Sequence, residues 1–248
     1  MKKGSVSTAF FIRKNIMKYI IAFLLFVFSF STFAFEVRPM VSEIKPSGSQ
    51  SQQTFRVYNG SKEPLTIDIE AYNLSVDSNG QESLKINDED FLIIPLTSIV
   101  QPGKSQSVIV RYIGEPVLSS SKAYRVAVNQ VAVNLEEANV SGIGMTVSFQ
   151  TLLNVVPDNA QAKVVIKNKK QIGKDLWSVD LENTGNKFVR LTQSKWMIKS
   201  QDKNLVLEGK DLSQSLSGKI VLPNSKSTVR IRIPSQFNAS DSDLKVVL

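Results

Sequence analysis

Histidine and cysteine are both absent from the 248 residues. Without imidazole there is no His-dependent triad, no histidine metal ligand and no imidazole acid–base catalysis. Without thiols there is no cysteine nucleophile, no thiolate metal site and no disulfide. Carboxylates are the remaining chemistry, and they are poorly arranged for it. The densest acidic groups, Asp88-Glu89-Asp90 and Glu136-Glu137, fall in loop-like sequence and read as solvated turns. Residues 77–80 (D-S-N-G) resemble the start of a calcium loop, but no glutamate follows at the required position. Gly142 and Gly144 precede a strand pattern, not a helix, so they form no phosphate cradle. The expectation is a binding or structural protein with no catalytic residues, no metal and no cofactor. A carbohydrate-active enzyme on this scaffold would require a carboxylate pair brought together in a cleft.

The first 34 residues have the pattern of a secretory signal. Lys2, Lys3, Arg13, Lys14 and Lys18 precede an almost wholly apolar run over residues 19–30, and residues 31–34 (S-T-F-A) supply the small residues of a cleavage site. Cleavage is expected after Ala34, with Met17 as an alternative start. The apolar run is short for a membrane span and lacks a stop-transfer flank, so no stable membrane insertion is expected after cleavage. Five of the 30 Lys and Arg residues would leave with it, so 25 would face 22 acids, a net charge of +3. That is no nucleic-acid footprint. Export normally permits disulfides, so a mature chain of 214 residues must be stable on its cores alone.

What fills those residues is strand after strand. Period-two or short apolar runs occur at residues 37–44, 54–58, 65–72, 91–94, 108–113 and 123–133, punctuated by turn residues at 46–49, 59–61, 77–80 and 99–104. A second series follows a linker-like segment at 158–161. It covers residues 162–166, 177–181, 188–198, 204–207, 219–222 and 228–233, with a turn at 183–186 and no convincing helix. Lys167, Lys169 and Lys170 read as a solvated turn. The pattern predicts an all-β chain of two immunoglobulin-like β-sandwich domains, residues 35–157 and 158–248.

Residues 140–157 (V-S-G-I-G-M-T-V-S-F-Q-T-L-L-N-V-V-P) stand out. Ile143, Met145, Val147 and Phe149 alternate with Gly144, Thr146, Ser148 and Gln150, which puts one apolar face on an extended strand. It reads either as an ordinary sandwich strand or as a strand lent to another protein by edge addition.

Several segments, in order, resemble the periplasmic chaperones of the chaperone-usher pilus pathway, the PapD-like family. They are residues 54–61 (T-F-R-V-Y-N-G-S), 94–104 (I-P-L-T-S-I-V-Q-P-G-K) with 107–111 (S-V-I-V-R), 123–126 (A-Y-R-V) and 177–189 around E-N-T-G. The resemblance implies two sandwiches in a boomerang arrangement and a periplasmic location. It further implies pilin subunits and an outer-membrane usher as partners. The seventh strand, about residues 143–156, would complete the pilin fold, with Ile143, Met145, Val147 and Phe149 filling the pilin groove. Better-known members anchor the pilin's C-terminal carboxylate with an Arg on the first strand and a Lys on the seventh. Here no basic residue lies between Val140 and Pro157, and Leu152 falls near the expected Lys. Arg125 is the first candidate anchor, followed by Arg38 and Arg111, a pattern nearer the archaic and alternative branches. The competing expectation is an exported two-domain pilus subunit or surface adhesin, for which residues 35–44 would be a short, proline-interrupted donor extension.

Overall fold

The computed structural model describes residues 35–131, 146–201 and 203–248. The signal-like segment, Glu136, Glu137, Ile143 and Met145 lie outside the described residues. The chain is all-β, as its periodicity predicts. Residues 35–155 form two sheets. One has the order β1-β3-β8-β6, made of β1 (Phe35–Arg38), β3 (Gln52–Asn59), β8 (Ser105–Tyr112) and β6 (Phe91–Ile94). The other has the order β2-β10-β9-β4-β5, made of β2 (Val41–Ile44), β10 (Ser148–Val155), β9 (Lys122–Gln130), β4 (Leu65–Val76) and β5 (Glu82–Ile86); β7 (Thr97–Val100) also pairs with β4. The chain changes sheets between β1 and β2, where Arg38-Pro39 is cis, and again between β6 and β7, where Ile94-Pro95 is cis.

The alternation read from the sequence becomes two inner faces packed on each other. Leu65, Ile67, Ile69 and Ala71 of β4 are buried, as are Phe55, Val57, Val108, Val110, Val126 and Val128. Burying each such aliphatic or aromatic side chain contributes about 1.5–3 kcal/mol before ordering costs. Phe91 packs edge-on to Tyr124 with centroids 4.8 Å apart. Asp90 is not merely a solvated turn residue: its carboxylate accepts a 2.8 Å hydrogen bond from the Tyr124 hydroxyl.

Residues 164–247 form the second set of sheets. They comprise β11 (Val164–Gly173), β12 (Leu176–Asn183) and β17 (Ser225–Arg232); the pair β13 (Val189–Arg190) and β16 (Ile220–Val221); and β15 (Lys203–Leu207), β14 (Lys195–Ser200) and β18 (Asp243–Val247). Trp177, Trp196, Leu181, Ile198 and Phe237 fill their core. Two expectations are corrected here. A short helix α1 (Lys210–Leu216) buries Leu212 and Leu216, an i, i+4 pair too brief to register as a helical period. Lys167, Lys169 and Lys170 lie within β11, an edge strand with register shifts at Ile166/Asn168 and Gln171/Gly173. Lysines and bulges are the usual protection of an exposed sheet edge. Among the described residues no helix is long and apolar enough to cross a membrane.

Two tyrosines make the fold sensitive to alkali. Burial, then the hydrogen bond to Asp90, pushes the Tyr124 phenol up. Its hydrogen bond to Glu70, then burial and the charges of Glu70 and Asp68, push Tyr72 up to about 12. An unfolded tyrosine titrates near pH ~10. Both groups therefore contribute stability that is intact below pH ~10. It is lost as pH rises towards the folded values, because the unfolded chain releases protons that the folded chain keeps. Urea midpoints are expected to hold steady to about pH 9 and fall from about pH 10 to 11. Tyr72→Phe should make that fall shallower.

Candidate partner-binding site

β10 pairs with β9 along its whole length, from Ser148 opposite Asn129 to Val155 opposite Lys122. On its other side β2 covers only Leu152 to Val155, in parallel, from Val41 to Ile44. The Leu152 N–H donates to the Met40 carbonyl at 2.9 Å and the Val156 N–H to the Ile44 carbonyl at 2.8 Å. Backbone groups of a strand alternate in direction, so the even-numbered residues face β2 and the odd-numbered ones face β9. Consistently, the Val147 carbonyl accepts from the Gln130 N–H at 2.9 Å. The same parity turns the N–H and C=O of Ser148 and Gln150 outwards, where no strand covers them among the described residues. β1 is likewise the end strand of its sheet. One side of the sandwich therefore carries two strand edges, one from each sheet, joined by the crossing from β1 to β2.

Side chains alternate in the same way. Phe149, Thr151, Leu153 and Val155 face the inner side, and Ser148, Gln150, Leu152 and Asn154 the outer side. Val147 is 41% exposed at the rim. Phe149 is half-buried and stacks edge-on with Phe35, centroids 4.7 Å apart. It therefore belongs to the lip of this chain's own core as well as to the open side. The start of β10 is pinned from the outer side. The Ser148 hydroxyl donates to Asn129 Oδ1 at 2.6 Å, and Asn129 Nδ2 donates to Glu70 at 2.8 Å.

The three arginines do not form one cluster. Arg38 lies on β1 directly across from Arg56 and donates to Glu36 at 3.0 Å in full solvent. Arg111 lies on β8 across from Gln52 and Leu92, at the other end of that sheet's outer face. Arg125 lies on β9, in the second sheet, between Tyr72 of β4 and Leu152 of β10. Its register puts it level with the point where β2 begins to cover β10. Its side chain is 16% exposed. The guanidinium already grips a carboxylate by two nitrogens. Nε donates to Glu82 Oε2 at 3.0 Å, and Nη2 pairs with Glu82 Oε1. Nη1 also lies 3.5 Å from the Gln150 carbonyl. Sequence reading missed Glu82, which sits 43 positions earlier on β5 and has no local signal.

Arg125 and Glu82 line a cleft with Val76, Gly80, Ser217, Gly218, Lys219 and Ile220. The cleft lies where the outer face of the second sheet meets the later sheets. Leu74, Ala123 and Leu152 pack there against Ile220. The Thr228 N–H donates to the Ser78 carbonyl at 2.7 Å and the Phe188 N–H to the Ser121 hydroxyl at 2.9 Å. Lys187 pairs with Glu43 at 2.9 Å. Gly80 is required on the cleft wall. Its φ is +79°, and a Cβ there would lie 3.1 Å from Lys219 Nζ.

No protein-family model and no curated protein matches the sequence. Solved structures do match the fold. The class 5 fimbriae chaperone CfaA superposes with a TM-score of 0.55 at 14% identity, covering 87% of this chain and 99% of that one. A chaperone–tip adhesin complex of CFA/I fimbriae biogenesis gives 0.54 at 15% identity, with 87% and 99% covered. The CsuC–CsuE chaperone–tip subunit pre-assembly complex, from the archaic chaperone-usher Csu pili of Acinetobacter baumannii, gives 0.51 at 15% identity, with 79% and 89% covered. The chain thus has the all-β fold of two immunoglobulin-like domains found in fimbrial chaperones.

Proposed function

We propose that this protein is a periplasmic chaperone of fimbrial assembly that holds pilin subunits by lending them β10. Residues 1–34 would be the export signal, residues 35–157 the pilin-binding domain and residues 158–248 the second domain. The observation that carries this reading is the edge at Ser148 and Gln150, uncovered among the described residues and beside the end strand β1, in a chain with the fimbrial chaperone fold. A subunit lacking one strand exposes an apolar groove and unpaired backbone groups, both aggregation hazards. A strand laid along β10 would satisfy the outward N–H and C=O groups, while Val147 and Phe149, with Ile143 and Met145 before them, cover the groove. The protein would act by binding alone and pass the subunit to an outer-membrane usher.

Geometry also suggests the guest's direction. A strand along residues 148–151 would lie in line with β2, and its end would meet the start of β2 beside Arg125. If its C-terminal carboxylate is held there, the guest runs parallel to β10, as β2 does. Arg125 suits that role because a guanidinium grips a carboxylate through two parallel hydrogen bonds. Arg38 and Arg111 are weaker choices, since both lie on the other sheet.

Arg125→Ala is expected to weaken capture of a co-expressed pilin by about 2–5 kcal/mol, enough to abolish co-purification, with an unchanged far-UV spectrum. Arg125→Lys should recover only part of the loss, because it keeps the charge without the fork. Normal capture by Arg125→Ala would remove this residue from the mechanism.

A further inference from the structure

The cleft beside Arg125 holds more positive than negative charge. Arg125 and Lys219 both line it, and Glu82 is its one acid. Glu82 is fully engaged with Arg125 by two contacts. Lys219 has no acidic partner within ion-pairing distance among the described residues, and its ammonium is carried over Gly80, two positions from Glu82. The site thus has two cations and one carboxylate. It is built from both halves of the chain, with Glu82 from β5, Arg125 from β9 and Lys219 from the turn before β16.

We propose that Glu82 is an internal stand-in for the guest's carboxylate. In the free protein it occupies the Arg125 fork and keeps a largely buried guanidinium neutralised. When a peptide C-terminus arrives, the guest takes the fork and Glu82 moves to Lys219. The cleft then holds two carboxylates on two cations. This makes binding a competition, and it gives Lys219, which no feature of the strand edge would single out, a part in capture. The proposal rests on the reading of Arg125 as the carboxylate anchor. It adds that the anchor is occupied before the guest arrives and that release of the guest is assisted by Glu82 returning.

The test uses the mature chain and an N-acetylated decapeptide of alternating valine and threonine, made as the free acid and as the C-terminal amide, with affinities measured by calorimetry. Glu82→Gln is expected to bind the free acid about tenfold more tightly than the wild type, the size of an ordinary coupling between competing ligands, with no change for the amide. Lys219→Met leaves the Arg125–Glu82 pair untouched and is expected to weaken free-acid binding by a similar factor. Unchanged or weaker binding by Glu82→Gln, or an unaffected Lys219→Met, overturns the stand-in. Should Glu82→Gln fail to fold, Lys219→Met alone decides. A failure of the underlying reading looks different: free acid and amide would then bind wild type equally or not at all, and Arg125→Ala would make no difference.

Discussion

Gln150→Pro is expected to leave the protein folded and to abolish pilin capture. Few substitutions separate those two properties so cleanly. The Gln150 N–H points away from β9, on the stretch of β10 that β2 does not reach. Proline there removes no ladder hydrogen bond, which is the one circumstance in which a strand tolerates it. It also holds Phe149 extended, the conformation it already has in the strand. For a guest strand the same change removes a backbone donor and places a ring in the pairing plane, so affinity should fall at least about tenfold. Thr151→Pro is the control. Its N–H faces β9, where Thr151 lies opposite Val126 and its hydroxyl bonds the Val126 carbonyl at 3.0 Å. That variant should lose stability, not just binding. Thermal melts and co-purification of both variants check the pair. Capture by a folded Gln150→Pro would mean that guests do not pair with this edge.

The second large effect is on stability. Asn59→Ala is expected to destabilise the first sandwich by about 3 kcal/mol, the range for losing four side-chain hydrogen bonds, one of them to a buried carbonyl. The Asn59 amide nitrogen donates to the Val100 carbonyl at 2.8 Å and the Glu63 carbonyl at 2.7 Å. Its oxygen accepts from the Ser61 N–H at 2.9 Å and from the Ser61 hydroxyl at 2.7 Å. The side chain is fully buried, so water cannot replace it. One residue thus ties the end of β3 to the end of β7, across the two sheets. For a domain of this size the melting temperature should drop by about 12 °C or more. Asn183 repeats the device in the later sheets, bonding the carbonyls of Lys187, Leu222 and Val221 and accepting from the Gly185 N–H at 3.0 Å. Asn59→Ala and Asn183→Ala should therefore lower stability to similar degrees. A loss below about 1 kcal/mol at Asn59 would show that the bracket is dispensable.

The strands were legible wherever one face is buried and the other wet. Residues 65–72 alternate in sequence, and Leu65–Val76 alternates in burial. Where the inward face is only half-buried the signal is short: β5 offers only Leu84 and β18 only Leu244 and Val246, and neither segment reads as a strand in the sequence. Pro39 interrupts the run at residues 37–44, but nothing local says that the chain crosses to the other sheet there. That crossing decides how much of β10 stays uncovered. For the candidate site, the family resemblance named Arg125 and the sequence pattern showed the alternation around Val147 and Phe149. It could not reveal that Phe149 packs on Phe35, or that Glu82 grips Arg125, because both contacts join residues far apart along the chain.

Amide hydrogen exchange at Ser148 and Gln150, with and without a bound pilin subunit, reads the lent edge directly. In the free protein both amides should exchange quickly while Phe149 and Thr151 are protected by β9. On binding, Ser148 and Gln150 should become at least as protected as their neighbours. If a subunit binds tightly and those two amides keep exchanging at their free rates, the guest sits elsewhere and β10 is no more than an ordinary strand of its own sheet.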